Sequence, residues 1–178
     1  SWRFVENLPL AQFYHLAVDY QVPFNVYGGL QDNGSWRGPS QVWETPSFAG
    51  SNIVAHHWTE IGFGDGFAAV PDPTTPNAGY SMSQGGSLRR FDLVSGEERS
   101  IMPPAPDEGT ELRFNWNAAI ALDPHDPAVV YYGSQFVHRS ADRGETWEII
   151  SPDLTTDDPE KQRQAESGGL TLDVTAAE

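Results

Sequence analysis

The stretch DYQVPFNVYGGLQ, residues 19–31, sets four residue types at intervals of four: Asp19, Pro23, Tyr27 and Gln31. The same types at the same intervals recur as Asp72, Pro76, Tyr80, Gln84 and as Asp123, Pro127, Tyr131, Gln135. Three copies at a period of about 50 residues mark a repeat architecture. Before each aspartate runs a short apolar segment, Leu16-Ala17-Val18, Ala68-Ala69-Val70 or Ile120-Ala121-Leu122. A proline-bearing turn follows, and then a second apolar segment ends at the tyrosine and glutamine. That grammar is strand, turn, strand.

Working outward, residues 88–93 and 136–139 read as third strands. Fourth strands open at Trp58 and at Trp147, and Trp2-Arg3-Phe4-Val5 has the same look. Four short antiparallel strands per unit bury their faces only by stacking on neighbouring units, which is the condition of a β-propeller blade. The expected fold is therefore all-β, a propeller segment of about three four-stranded blades belonging to a larger disc. Blade one covers 8–63, blade two 64–103 and blade three 104–154; residues 1–7 close a preceding blade, and 155–178 form a charged excursion leading through Leu170-Thr171-Leu172 to the next.

Composition supports this. The chain has 178 residues, 38% of them hydrophobic and 12% aromatic, and its 14 prolines and 17 glycines interrupt any long helical pattern. The net charge of −15, with 10 basic residues, repels phosphate backbones and anionic lipid, which argues against nucleic-acid and membrane-surface partners. No cysteine is present, so disulfides and thiolate metal sites are excluded, and a cysteine-free acidic β-protein suits export from a bacterium.

Ser140-Ala141-Asp142-Arg143-Gly144-Glu145-Thr146-Trp147 fits the pattern S-x-D-x-G-x-x-W. Its spacing makes a compact turn: the carboxylate accepts backbone N–H groups, glycine takes a conformation other residues avoid, and tryptophan tucks beneath. This is the Asp-box or BNR pattern, with Ser140, Asp142, Gly144 and Trp147 in structural roles. With it the sequence resembles the sialidase-like and sortilin-like superfamily of propellers, which includes xyloglucanase-type glycoside hydrolases. The phrases Tyr27-Gly28-Gly29-Leu30-Gln31-Asp32-Asn33-Gly34-Ser35 and Gly64-Asp65-Gly66-Phe67 resemble those of large exported bacterial repeat proteins. The first two units lack an intact Asp box, having a long insertion at 39–57 and a plain turn at Asp92-Leu93-Val94-Ser95-Gly96.

The resemblance implies that ligands bind on the face formed by the loops between second and third strands and the loops leading into first strands. That rim carries Tyr14, His15, Gln31, Asp32, Asn33, Asp65, Gln84, Arg113, Asn115 and Trp116. Aromatic faces stack on sugar rings while amides and carboxylates bind hydroxyls, so the mixture suits a neutral glycan; the sortilin-like resemblance implies a peptide as the other ligand class. Repeated residues such as Gln84 and Gln135 are more simply explained by packing; Asp32 and Asp65 break the repeat. If the site is that of a glycoside hydrolase, Asp32 and Asp65 are the candidate catalytic pair, with Glu108 and Glu111 as substitutes. Sialidase chemistry asks for clustered arginines, and Arg113 is the good candidate here.

The Asp-Asn-Gly at 32–34 also reads as a tight turn in which Asn33 and Gly34 tolerate positive φ. No phosphate loop or nucleophile elbow is present, and no cofactor is expected. No metal site is expected either: His56 and His57, if on a strand, point to opposite faces, and the carboxylates Asp153, Asp157 and Asp158 lack EF-hand spacing.

Overall fold

The computed structural model describes residues 11–42 and 53–159. The expected preceding-blade end at 1–7, most of the first-unit insertion and the lead to a next blade around Leu170 lie outside the described residues. The described chain is three consecutive four-stranded antiparallel sheets, each a meander in chain order. Blade one holds β1 (Phe13–Val18), β2 (Asn25–Leu30), β3 (Ser35–Pro39) and β4 (Thr59–Gly62). Blade two holds β5 (Gly66–Pro71), β6 (Ala78–Ser83), β7 (Ser87–Asp92) and β8 (Glu97–Ser100). Blade three holds β9 (Ile120–Leu122), β10 (Val130–Gly133), β11 (Val137–Ser140) and β12 (Glu148–Ile149). The sequence-derived blade order and strand count hold, and the fold is a β-propeller segment. No described helix is long and apolar enough to cross a membrane.

The repeat spacing has a physical meaning. Each aspartate closes the turn between first and second strands by accepting its backbone N–H groups: Asn25 at 2.8 Å on Asp19, Thr74 at 2.8 Å on Asp72, His125 at 2.8 Å on Asp123. The tyrosine eight residues on donates its hydroxyl to the same carboxylate in blade one (3.1 Å) and blade three (3.2 Å). Burial works to raise the Asp19 and Asp72 carboxyls, but these donors outweigh it and hold both below the ordinary value. In blade two the Tyr80 hydroxyl has no hydrogen-bond partner among the described residues, and burial pushes it up to about 12.

β6, sequence AGYSMS, is buried at every position because both faces of blade two are covered. Its large residues Tyr80 and Met82 face blade three, in one cluster with Phe67, Leu88, Phe114, Val130 and Tyr132. Its small residues face blade one, where the seam is thin. A side chain at Gly29 would strike the backbone of Gly66 and Phe67, and one at Gly66 would strike the backbone of Gly34. The Gly34 N–H donates to the Gly64 carbonyl across this seam at 2.7 Å.

The S-x-D-x-G-x-x-W turn has the expected form. Ser140 Oγ accepts the Gly144 N–H at 2.7 Å, Asp142 accepts the Thr146 N–H at 2.9 Å, and Gly144 has φ 92. The Trp147 indole donates to the Ile101 carbonyl of blade two at 2.8 Å. Arg143 reaches Asp72 of blade two, so this turn lies at the end of the blades that carries the repeat aspartates, opposite the glutamines.

Two consequences are testable. Gly29→Ala forces the blades apart and is expected to cost about 3 kcal/mol, whereas Gly85→Ala, at φ 70 with open space around it, costs about 1 kcal/mol from conformation alone; urea denaturation measures both. His138 is 1% exposed, and burial holds its imidazole below the ordinary value. The unfolded chain therefore takes up a proton near pH 6.5 that the folded chain refuses, and stability falls as pH drops from about 7 toward 5. His138→Gln is expected to flatten that limb, while the loss from Asp19 and Asp72 appears only as pH falls below about 4.

Candidate functional site

The rim opposite the repeat aspartates is assembled from the β2–β3 loop, the lead-ins to β5 and β9, and the upper end of β1. Asp65 stands at its centre and ties three blades together. Its Oδ1 accepts the backbone N–H of Asp32 in blade one at 2.7 Å, and its Oδ2 accepts the Trp116 indole N–H of blade three at 3.2 Å. Its own N–H donates to Gln84 Oε1 in blade two at 2.9 Å. An aspartate carboxylate lies within about 4 Å of its own amide nitrogen, so the Asp32 and Asp65 carboxylates are no more than about 7 Å apart. The sequence-derived pair is thus brought together.

The two carboxylates differ in engagement. Both Asp65 oxygens are occupied by N–H donors, whereas the exposed Asp32 carboxylate accepts no hydrogen bond among the described residues. The backbone of Asp32 is left-handed at φ 58, matching Gly85 at φ 70 in blade two. The turn therefore places positive φ on Asp32 and Gly34, and Asn33, expected to take it, does not. Asn33 folds onto its own loop through Nδ2 to the Gln31 carbonyl at 2.9 Å, and its carbonyl accepts the Trp36 indole N–H at 2.6 Å. Gln31 is half-buried and fixed by its N–H to the Gln12 carbonyl at 3.0 Å.

Beside them, β1 and β5 each carry one extra residue near the rim, a bulge between Phe13 and His15 and another between Gly66 and Ala69. Bulges re-aim side chains at sheet edges and next to sites. The first turns Tyr14 onto Phe67, with ring centroids 4.7 Å apart, and toward the two carboxylates. Desolvation first, and then the charges of Asp65 and Asp32, push the Tyr14 hydroxyl above its ordinary value. His15 meets Asn117 of the β9 lead-in, with Nε2 and Nδ2 2.8 Å apart. Asn115 caps that loop by accepting the Asn117 N–H at 3.0 Å.

The repeated glutamines brace these lead-ins. Gln135, 1% exposed, accepts the Arg113 N–H and donates to the Glu111 carbonyl, both at 2.9 Å. Gln84 braces Asp65 in the same way, so its amide oxygen is already engaged. Arg113 is drawn away from the rim centre: its guanidinium binds Asp153 at 2.9 Å, Asp157 at 3.0 Å and the Thr155 hydroxyl at 2.6 Å. Two of the tail carboxylates considered for calcium, Asp153 and Asp157, are therefore partners of Arg113. Glu108 and Glu111 are exposed in the long β9 lead-in.

His56 and His57 lie on a single 3-10 turn, Ala55–His57, instead of a strand, with ring centroids 4.2 Å apart. Among the described residues no group of three His, Cys, Asp or Glu is placed to hold a metal. Sequence reasoning missed the partner of His15, Asn117, and the engagement of Arg113. The first had a signal in the run Asn115-Trp116-Asn117; the second had none, since its partners lie 40 residues away or more.

No family model matches the chain, and no curated protein does. Among solved structures, it is similar to the GH74 xyloglucanase from Xanthomonas campestris, at 18% identity and TM-score 0.47, over 72% of this chain and 19% of that one. It is also similar to the Niastella koreensis GH74 enzyme, at 17% identity and TM-score 0.42, over 70% of this chain and 19% of that one. The chain spans about a fifth of the length of these proteins.

Asp65→Ala removes the acceptor of two N–H groups and is expected to cost about 1–3 kcal/mol, while Asp65→Asn, which keeps one oxygen, costs less. Asp32→Gly relieves a left-handed non-glycine residue and is expected to stabilise by up to about 1 kcal/mol. Urea melts of the three variants measure both effects.

Proposed function

We propose that this chain is part of an exported ligand-recognition propeller whose rim binds a glycan or a peptide, and that a neutral, hydroxyl-rich glycan is the better fit. The observation that carries this is the contrast between the two rim carboxylates. Asp65 is spent on holding three blades in register, and Asp32 is free to accept hydroxyls beside the ring of Tyr14 and the amides of Asn115 and Asn117. A rigid frame with a few free acceptors and exposed aromatic edges binds a polyol without large reorganisation. The one arginine of the rim is neutralised by Asp153 and Asp157, which disfavours anionic sugars.

A second reading, glycoside hydrolysis by Asp32 and Asp65, is favoured by their separation of no more than about 7 Å, compatible with the ranges of paired catalytic carboxylates. Against it, a general acid carries its proton on an oxygen able to donate, and both Asp65 oxygens already accept N–H groups.

Glycan and peptide arrays probed with wild type, Asp32→Ala and Tyr14→Ala separate these readings. Recognition predicts selective retention of neutral oligosaccharides, weakened about tenfold or more in each variant, with thermal stability lowered by no more than about 1 kcal/mol in Asp32→Ala. Equal binding by all three proteins would overturn the rim assignment. Release of reducing sugar that disappears in both Asp32→Asn and Asp65→Asn would establish the second reading instead.

A further inference from the structure

The seam between blades one and two requires glycine at position 34, and that glycine follows an asparagine. Gly34 is buried at φ 69, and a side chain there would strike the Gly62 carbonyl. Conformation and space both exclude a larger residue. Asparagine followed by glycine is the dipeptide most prone to deamidation, because the unhindered glycine nitrogen reaches the asparagine side-chain carbon. Asn33-Gly34 is the only such pair in the chain. The fold has therefore placed its most labile dipeptide at the rim, one residue from Asp32.

In a free turn the Gly34 nitrogen attacks Asn33 Cγ and a C–N bond forms. The Cγ–Nδ2 bond breaks, and Nδ2 leaves as ammonia with the proton from Gly34. Solvent water then opens the succinimide ring. Hydrolysis at Cγ gives aspartate; hydrolysis at the main-chain carbonyl gives isoaspartate, whose backbone runs through the former side chain.

The folded chain restrains both reacting groups. The Gly34 N–H, whose proton must leave before the nitrogen attacks, donates to the Gly64 carbonyl across the seam at 2.7 Å. A carbonyl oxygen is too weak a base to take that proton. On the other side of the same glycine, its carbonyl accepts the Leu30 N–H at 2.8 Å. The Asn33 side chain is turned back, with Nδ2 donating to the Gln31 carbonyl at 2.9 Å, and the Asn33 carbonyl accepts the Trp36 indole N–H at 2.6 Å. Asn33 itself is exposed, so hydrogen bonding and not burial holds it. The bond to Gly64 exists only while blade one lies against blade two.

We propose that Asn33 is a deamidation site gated by this seam: the closed seam preserves the asparagine, and each opening frees the Gly34 nitrogen and converts a fraction irreversibly. Either product adds a carboxylate beside Asp32. The isoaspartate form also lengthens the main chain of the turn that lays the Asp32 N–H on Asp65. The charge of the rim then records how often the two blades have parted. This is independent of what the rim binds.

Peptide mapping by mass spectrometry of the full chain, incubated in mildly alkaline buffer, follows Asn33, with an isoaspartate-specific methyltransferase as a second readout. Conversion is expected to be about tenfold or more slower in native buffer than in denaturing guanidinium chloride. Gly66→Ala, whose added carbon would strike the Gly34 carbonyl across the seam, is expected to raise the native rate about tenfold. Gly85→Ala, with open space around it, loosens blade two away from the seam and leaves the native rate unchanged. Should Gly66→Ala fail to fold, hydrogen exchange of the wild type decides alone. One opening exposes the Gly34 N–H to both reactions, so its exchange protection and the protection of Asn33 agree within about tenfold. Native conversion as fast as in denaturant overturns the proposal. So does a folded Gly66→Ala that converts no faster than wild type, a Gly85→Ala that converts as fast as Gly66→Ala, or a freely exchanging Gly34 N–H beside a preserved Asn33.

Discussion

Contact of backbone on backbone at the blade one to blade two seam is the constraint on which the rim depends. Where Gly29 meets Gly66 and Gly66 meets Gly34, backbone lies against backbone, and the sheets approach until the Gly34 N–H reaches the Gly64 carbonyl. Side chains at Gly29 or Gly66 would hold the blades apart. With the seam closed, the turn after β2 comes so near the lead-in to β5 that the Asp32 N–H falls on the Asp65 carboxylate. The thick aromatic seam between blades two and three brings the Trp116 indole to the other oxygen of the same group. One thin seam and one thick seam therefore converge on a single carboxylate, and the arrangement of the rim follows from that pair of spacings.

The repeat was legible because its residues are tied to turn geometry. An aspartate that closes a turn and a tyrosine that reaches back to it keep a fixed distance along the chain, whatever faces them. The arginine paired with each tyrosine across the sheet, Arg37 with Tyr27, Arg90 with Tyr80 and Arg139 with Tyr131, was not legible in that way. It lies ten residues after Tyr27 and Tyr80 but eight after Tyr131, because the β10–β11 hairpin is shorter, and a search at fixed spacing passes over it. Cross-strand register, which the structure supplies, recovers the relation.

The candidate site was legible in part. Asp32 and Asp65 stood out as departures from the repeat, and the structure joins them. What the sequence did not carry was the difference in their engagement, because it arises from Trp116 and Gln84 in two other loops. Asn33 and Gly34 were the natural choices for positive φ on propensity alone; Gly34 takes it, but Asp32 replaces Asn33 as the second such residue, at the place where blade two has Gly85. Arg113 looked like a rim cation because its partners come from the segment after β12, where nothing local announces a fold back onto blade three.

The glutamine braces have a consequence for how such a chain diversifies. Gln84 and Gln135 each grip the backbone of the loop entering their own blade, Gln84 at the residue before β5 and Gln135 at Glu111 and Arg113, some way upstream of β9. The short lead-in to β5 and the long proline-rich lead-in to β9 are thus held by the same kind of anchor, although their lengths differ greatly. Loops on this rim are thus free to lengthen, shorten or change chemistry one blade at a time, so new specificity can be acquired without renegotiating the scaffold.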